Sequence, residues 1–520
     1  MDTLGHLTRT MLVHSFLDEA EALAPDAPAV RDATGRWTYR ELARYSRAAE
    51  HWLQQRGVRH GDRVVVQWET TRELVALMFG VSRRGAVFVP LNPGMKQYHL
   101  NGVVANAEPV LVLTGADAAD TWAGIERSAA GGALAEPTAV SPQDVAVLVY
   151  TSGSTAAPKG VVEPHAQIAF ATMSIGQVLG YRDDDVVFCR FPVSWDYGLY
   201  KVLLSCHGRS EIVLAGAESD LRLLGLIRST GATVVPIVPS LASMIATLAE
   251  RETLTEEPNR VRMFTNTGAA LPQATIEKLR KHFDGARVVR QFGQTECKRI
   301  TVMPPELDEH RPDSVGLPLP GTRVLILDED GTELGPGQVG EIVAAGPHVM
   351  PGYWRAPELT ARAFRPDPVT GALRLHTGDY GSLDEDGYLY FEGRRDDMFK
   401  RKGIRMSTLE IEAAALDVPG VHAAAVVPPT DARDLCLFVE ADLPPHTVLR
   451  ELARRLEPQK VPSQCRVLER LPLTAHGKNA TAELARLLDA ETAPAAAPAT
   501  PATAPTAPTR TAATTAGDAR

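Results

Sequence analysis

The densest chemistry in the chain lies just after residue 144. An apolar run, Val145-Ala-Val-Leu-Val-Tyr150, leads into Thr151-Ser152-Gly153-Ser154-Thr155-Ala-Ala-Pro-Lys159-Gly160. Small residues let backbone amides approach an anion, the four hydroxyls add donors, and Lys159 supplies a mobile point charge. Such a loop suits a polyphosphate. It is not a Walker loop, because G-x-x-x-x-G-K would need glycine where Pro158 stands. No helix is expected to follow at once, since Glu163-Pro164 breaks the pattern.

The surrounding elements alternate in period. Thr38-Tyr39-Arg40-Glu41 has capping-box spacing, Leu42, Tyr45, Ala49 and Trp52 follow at helical period, and Gly57 closes the segment. Short strand-like runs recur at 64–66, 86–89, 110–113, 145–150, 186–191, 211–214, 233–238, 261–265 and 287–292. Helical patterns fall between most of them, which predicts an α/β fold of layered, mostly parallel sheets. After about residue 315 the texture changes to short strands joined by Asp-Gly turns, as at Asp330-Gly331 and Asp386-Gly387, so a β-barrel-like antiparallel subdomain is expected. Beyond the charged segment 393–403, the patterns at 408–416, 421–427, 435–439 and 447–457 predict a small α+β domain. The expected units are 1–395, with its β-rich part at about 316–395, then a mobile domain at 396–490 and a tail at 491–520. The tail is nearly all Ala, Pro and Thr, without hydrophobic periodicity, and is expected to be disordered.

Composition narrows the function. Lys+Arg 54 against Asp+Glu 64 gives a net charge of −10, and no basic run stands out, so no nucleic-acid partner is expected. No apolar run approaches the roughly 18 uncharged residues of a membrane span, and the N-terminus lacks a basic region followed by a long apolar one. The five cysteines are scattered without a C-x-x-C pair, which points away from a disulfide framework or a zinc site and towards a cytoplasmic location.

The loop TSGSTAAPKG resembles the phosphate loop of the adenylate-forming superfamily: acyl-CoA synthetases, luciferases and the adenylation domains of nonribosomal peptide synthesis. Four further motifs carry the resemblance in the expected order. They are Arg84-Gly-Ala-Val-Phe-Val-Pro-Leu-Asn-Pro93, Gln291-Phe-Gly-Gln-Thr-Glu296, His376-Thr-Gly-Asp379 with Gly393-Arg394, and Leu471-Pro-Leu-Thr-Ala-His-Gly-Lys478. One departure is Ala156, where the family has glycine; the methyl removes no donor.

The resemblance implies a two-step reaction. A carboxylate, already ionised at pH 7, attacks the α-phosphate of ATP, so the site needs positioning and charge neutralisation rather than a general base. It implies that Glu296 holds Mg²⁺, that Thr295 bonds the α-phosphate, and that Lys478 bridges carboxylate and phosphate. It further implies that Phe292 stacks on adenine, that Gly268 and Ala269 line the nucleotide site, and that Asp379 takes the ribose hydroxyls with help from Arg394. The second step passes the acyl group to a thiol after rotation about a hinge at Asp396. The loop 400–405 would then enter the site, and its charge suits a phosphopantetheine or an acidic carrier protein.

Phe191-Pro-Val-Ser-Trp195-Asp196-Tyr-Gly-Leu-Tyr200 occupies the family's acid-pocket region. Asp196 lies where amino-acid-activating members keep a carboxylate for the substrate ammonium; a buried anion without a cation would be costly. Trp195, Tyr200, Thr267, Gly268, Lys298, Arg299 and Ile300 are expected beside it. The two cations could hold a second substrate carboxylate, or face the domain interface. The whole pattern looks like stand-alone enzymes that load amino acids, including β-amino acids for macrolactam polyketides, onto separate carrier proteins. An acyl-CoA synthetase for an amine-free acid, and a degenerate adenylate-binding protein, remain as alternatives.

Overall fold

Thr38 and Glu41 form the reciprocal cap that their spacing predicts. The Glu41 amide donates to Thr38 Oγ1 at 3.2 Å, the Thr38 amide donates to Glu41 Oε2 at 2.8 Å, and the helix Tyr39–Gln55 follows. Its stripe of Leu42, Ala49 and Trp52 is buried, as the period requires. This computed structural model describes residues 10–151, 159–216, 220–251, 259–394, 398–401, 404–430, 433–456, 458, 460–473 and 479–492.

Two layered sheets carry the larger part of the chain. One has nine strands, and its centre runs parallel from Pro28–Asp32 through Glu211–Leu214, Val186–Cys189, Val234–Ile237 and Met263–Asn266 to Arg287–Phe292. Antiparallel pairs close its two edges. The other sheet orders Leu111–Thr114, Arg63–Gln67, Val87–Pro90, Val145–Thr151 and Lys159–Pro164. Its first three pairings are parallel and its last is antiparallel. Strands buried on both faces read as continuous apolar runs, and Val64, Val65 and Val66 are of that kind.

The last pairing was not expected from the sequence. Lys159–Pro164 is a strand that runs antiparallel to Val145–Thr151, with Lys159 opposite Thr151. Ser152, Gly153, Ser154 and Thr155 lie outside the described residues. Pro164 ends the strand as the N-cap of the helix His165–Leu179.

The antiparallel region is built as its turns predict. Arg323–Leu327, Gly340–Ala345, Leu373–Leu383, Phe364–Pro366 and Leu389–Arg394 form an antiparallel sheet. Asp328 accepts from the Asp330 and Thr332 amides at 3.0 and 2.8 Å, and Gly331 takes φ +82°, which a Cβ would strain. A C-terminal three-stranded sheet, Val421–Val427, Cys436–Ala441 and Gln464–Val467, packs against Thr408–Leu416 and the helix Thr481–Thr492. Its third strand and that last helix are additions to the expected elements. None of the five cysteines is in a disulfide, and Cys189, Cys206, Cys297 and Cys436 are buried. Among the described residues no helix is long and apolar enough to cross a membrane.

Candidate active site

The strand Lys159–Pro164 and the turn at 294–298 face each other through two charge pairs of opposite sense. Lys159 Nζ lies 3.4 Å from Glu296 Oε1, and the Tyr353 hydroxyl donates to the same oxygen at 2.7 Å. The Lys159 ammonium also sits 3.9 Å from the Tyr353 ring centroid. Four residues on, and so on the same strand face, Glu163 forms an ion pair with Lys298. Both of these side chains are almost wholly buried. Burial raises the Glu163 carboxyl to about 7 against the pull of Lys298, and Asp196 and Glu296 add to the rise.

The turn itself doubles back. A Cβ at Gly293 would fall 2.2 Å from the Lys298 carbonyl oxygen, so only glycine fits. The Lys298 amide donates to Gln294 O at 2.6 Å, and Lys298 takes φ +66°. A lysine in the left-handed region is strained, and the buried pair with Glu163 helps to hold it there.

The two residues expected at the ribose assemble across adjacent strands. Asp379 stands in register with Arg394. Arg394 Nε donates to Asp379 Oδ1 at 3.0 Å, and Gln294 Nε2 donates to Oδ2 at 2.6 Å. Gln294 belongs to the Glu296 turn, so one side chain ties Asp379 and Arg394 to that turn. Asp379 is 2% exposed. Phe292 lies at the end of its strand with its ring 5.1 Å from that of Phe391. Thr295 is in the turn, half-buried, and Gly268 takes φ +89° just beyond the strand Met263–Asn266. There the Asn266 amide side chain donates to Ala269 O at 3.0 Å.

The acid side is a small buried cavity against the helix Asp196–Gly208. Its charged lining is Asp196, Lys201, Lys298 and Arg299, and Tyr197, Tyr200 and Gln291 complete the polar wall. Asp196 opens the helix, where the macrodipole favours its charge, and among the described residues it has no ion-pair partner. Tyr197 is committed elsewhere, since its hydroxyl donates to Thr265 O and anchors the helix to the strand Met263–Asn266. Tyr200 stays in the cavity, 5.3 Å from Lys298 Nζ at its ring centroid. Arg299 Nε donates to Gln291 Oε1 at 2.9 Å, and its Nη1 donates to Lys298 O at 2.6 Å. Ile300 lies apart from the cavity, in the core of the antiparallel region. Trp195 caps the helix, with its ring 6.1 Å from that of Phe191, and Thr267 is buried outside the lining.

The two cations at the end of the Glu296 turn thus divide. Lys298 pairs with a buried acid, while Arg299 has no carboxylate partner among the described residues. Sequence reasoning missed Glu163, Tyr353, Gln294 and Lys201. Lys201 is the lone charge within the stretch Tyr197 to Cys206, all of which is buried. An all-round apolar helix is a buried one, so a lysine in its middle was a legible signal.

The donor set suits Mg²⁺ held through phosphates. Glu296 offers a hard oxygen, and among the described residues both of its partners fall on Oε1, which leaves Oε2 to a cation. No group of three or more His, Cys, Asp or Glu that could hold a metal occurs among the described residues, and Mg²⁺ commonly keeps water and phosphate oxygens among its ligands. Lys478 and the hinge residue Asp396 lie outside the described residues.

Comparison with known proteins gives concordant matches. The family model for AMP-binding enzyme matches residues 17–354, and that for AMP-binding enzyme C-terminal domain matches residues 410–478. The chain is 31% identical over 511 residues to the L-proline--[L-prolyl-carrier protein] ligase of Streptomyces coelicolor, over 88% of this chain and 93% of that one. It is 28% identical to tyrocidine synthase 3 of Brevibacillus parabrevis over 92% of this chain but 8% of that one. The chain spans a fifth or less of the length of several curated relatives it matches. Among solved structures, the complex of VinN with L-aspartate is 54% identical, with a TM-score of 0.68 over 74% of this chain and 99% of that one. ATP-bound MatB from Rhodopseudomonas palustris is 26% identical, with a TM-score of 0.80 over 92% of this chain and 99% of that one.

Proposed function

The chain belongs to the AMP-binding enzyme family, and on that premise we propose that it activates an amino acid carboxylate with ATP and loads it onto a separate carrier protein. The observation that carries the amino acid is Asp196, a carboxylate in the acid cavity with no ion-pair partner among the described residues. The proline ligase relative, named for its carrier protein, supports the thiol acceptor, and the VinN complex with L-aspartate supports the substrate class.

In the first step a carboxylate oxygen attacks the α-phosphorus, an O–P bond forms, and the bond to the bridging oxygen breaks to release pyrophosphate. Asp379 and Arg394 orient the ribose, and Lys159 with the hydroxyl loop neutralises phosphate charge. Mg²⁺ at Glu296, when bound, supplies further charge neutralisation on the phosphates. Lys478 bridges the carboxylate and the α-phosphate during attack. In the second step the carrier's phosphopantetheine thiolate attacks the acyl carbon and AMP leaves, after the domain at 396–490 has rotated about Asp396.

Asp196 takes the substrate ammonium. Arg299, which has no carboxylate partner among the described residues, favours a second acid group on the same substrate, so the preferred class is an aminodicarboxylic acid. In aspartate the amine is α to one carboxylate and β to the other, so one substrate accommodates both the amino acid and the β-amino acid readings. ATP–pyrophosphate exchange tests the proposal. Exchange with amino acids that falls on Asp196→Ala supports it, and normal exchange by that variant with every active amino acid refutes the ammonium assignment. Product analysis with CoA against a holo-carrier protein then decides the acceptor; rapid acyl-CoA formation without carrier dependence would favour an acyl-CoA synthetase.

A further inference from the structure

Resting on the amino acid reading above, we infer that Lys201 determines specificity. Its ammonium, with the Arg299 guanidinium, forms an anion subsite for the substrate's second acid group. Lys201 is 1% exposed, in the middle of the helix Asp196–Gly208. Its one hydrogen-bond partner among the described residues is the Tyr181 hydroxyl, at 3.1 Å. The Tyr197 and Tyr181 ring centroids lie 4.8 and 5.5 Å from the ammonium. No carboxylate comes within ion-pair distance of Lys201 or Arg299 among the described residues, although both line the same cavity as Asp196.

A buried cation without a carboxylate is costly, and two of them beside one cavity make an arrangement that an anion would complete. Arg299 is 6% exposed, and its partners are neutral: Gln291 Oε1, the Lys298 carbonyl and the face of the Tyr197 ring at 5.0 Å. Glu163 compensates Lys298, so it does not serve Lys201 or Arg299.

The cavity also holds donors without acceptors. Gln291 Nε2 and the Tyr200 hydroxyl are buried and have no hydrogen-bond partner among the described residues, and both side chains line the cavity. Two cations and two donors match the lone pairs of one carboxylate. Burial pushes the Lys201 ammonium down to about 7, with Arg299 adding to the fall, and an anion beside it would restore the charged form. Asp196 at the helix start and Lys201 five residues further on would thus read the two charges of a short aminodicarboxylic acid.

The test is ATP–pyrophosphate exchange by the full chain, its Lys201→Met variant and its Lys201→Arg variant, with L-aspartate, L-asparagine and L-alanine. The wild type is expected to prefer aspartate over asparagine by about 100-fold in kcat/KM, the scale of a buried charge-assisted contact. Lys201→Met should cut that ratio to below about ten, mainly through a higher KM for aspartate, and should leave exchange with asparagine and alanine within about threefold. Lys201→Arg should keep most of the acid preference. A Lys201→Met variant with the wild-type ratio would overturn the inference, and so would equal wild-type rates with aspartate and asparagine. Loss of exchange with every amino acid, together with a lower melting temperature, would assign Lys201 a structural role and also overturn it. A wild type that exchanges with no amino acid would instead defeat the amino acid reading itself.

Discussion

On the nucleotide side, Asp379 is held by Arg394 and Gln294, and Glu296 is held by Lys159 and Tyr353. On the acid side, Lys201 and Arg299 are buried with no carboxylate in pairing distance among the described residues, and Gln291 and Tyr200 each keep a polar atom without a partner there. The first region is preorganised by its own charges, which would suit the ATP proposed to bind there, a ligand whose shape is fixed by the reaction. The second is left incomplete, so the ligand that completes it is the one selected. Glu163 with Lys298 stands between them, a finished pair whose acid is on the strand of Lys159 and whose cation is on the turn of Glu296.

That contrast predicts which variants act on every substrate and which act on some. The largest effect belongs to Lys478→Ala, which should lower pyrophosphate exchange with all acids by about 1,000-fold or more while sparing thioester formation from preformed adenylate. Equal loss of both half-reactions would show that one pose serves both. Next, Asp379→Asn should raise the KM for ATP by about 10- to 100-fold, to the same extent with every amino acid. A substrate-dependent loss there would blur the two regions into one. Asp196→Asn should lower kcat/KM about 30-fold for amine-bearing acids and little for succinate, which lacks the amine.

A smaller effect concerns stability. The unfolded chain holds the Lys201 proton up to about 10.5, whereas the folded chain releases it near 7. Unfolding therefore takes up a proton between those values. The group's contribution to stability is present above the higher value and is lost as pH falls through the lower one. Lys201→Met should remove up to about 1.4 kcal/mol per pH unit of slope within that window, as read from denaturant midpoints across pH. The smallest effect is expected from deleting residues 493–520, which should leave exchange unchanged; a loss would give the Ala/Pro/Thr segment a role that its composition does not suggest.

The residues proposed for the nucleotide side could be picked out in sequence because they sit in short contiguous motifs, and strand register sets Asp379 opposite Arg394. Strand positions and the Thr38 cap were legible for the same local reason. The strand Lys159–Pro164 was not. The run Lys159-Gly-Val-Val-Glu-Pro164 carries a charge at a buried position, and only the Lys298 partner, brought from a distant turn, makes that strand readable. The burial of Lys201 was legible from its apolar neighbours, but its meaning was not, because that depends on the absence of a carboxylate partner among the described residues around it. Ile300 was expected in the acid pocket from its place after Lys298-Arg299, but the tight turn sends it into the neighbouring core.

One measurement bears most directly on the claim that the acid pocket reads an ammonium and a second acid group together. Wild-type pyrophosphate exchange should be compared for L-aspartate, L-asparagine, L-alanine and succinate. Aspartate should exceed each of the others by about 30-fold or more in kcat/KM, since each of those lacks the amine or the second carboxylate. Exchange with alanine or succinate as fast as with aspartate would contradict it.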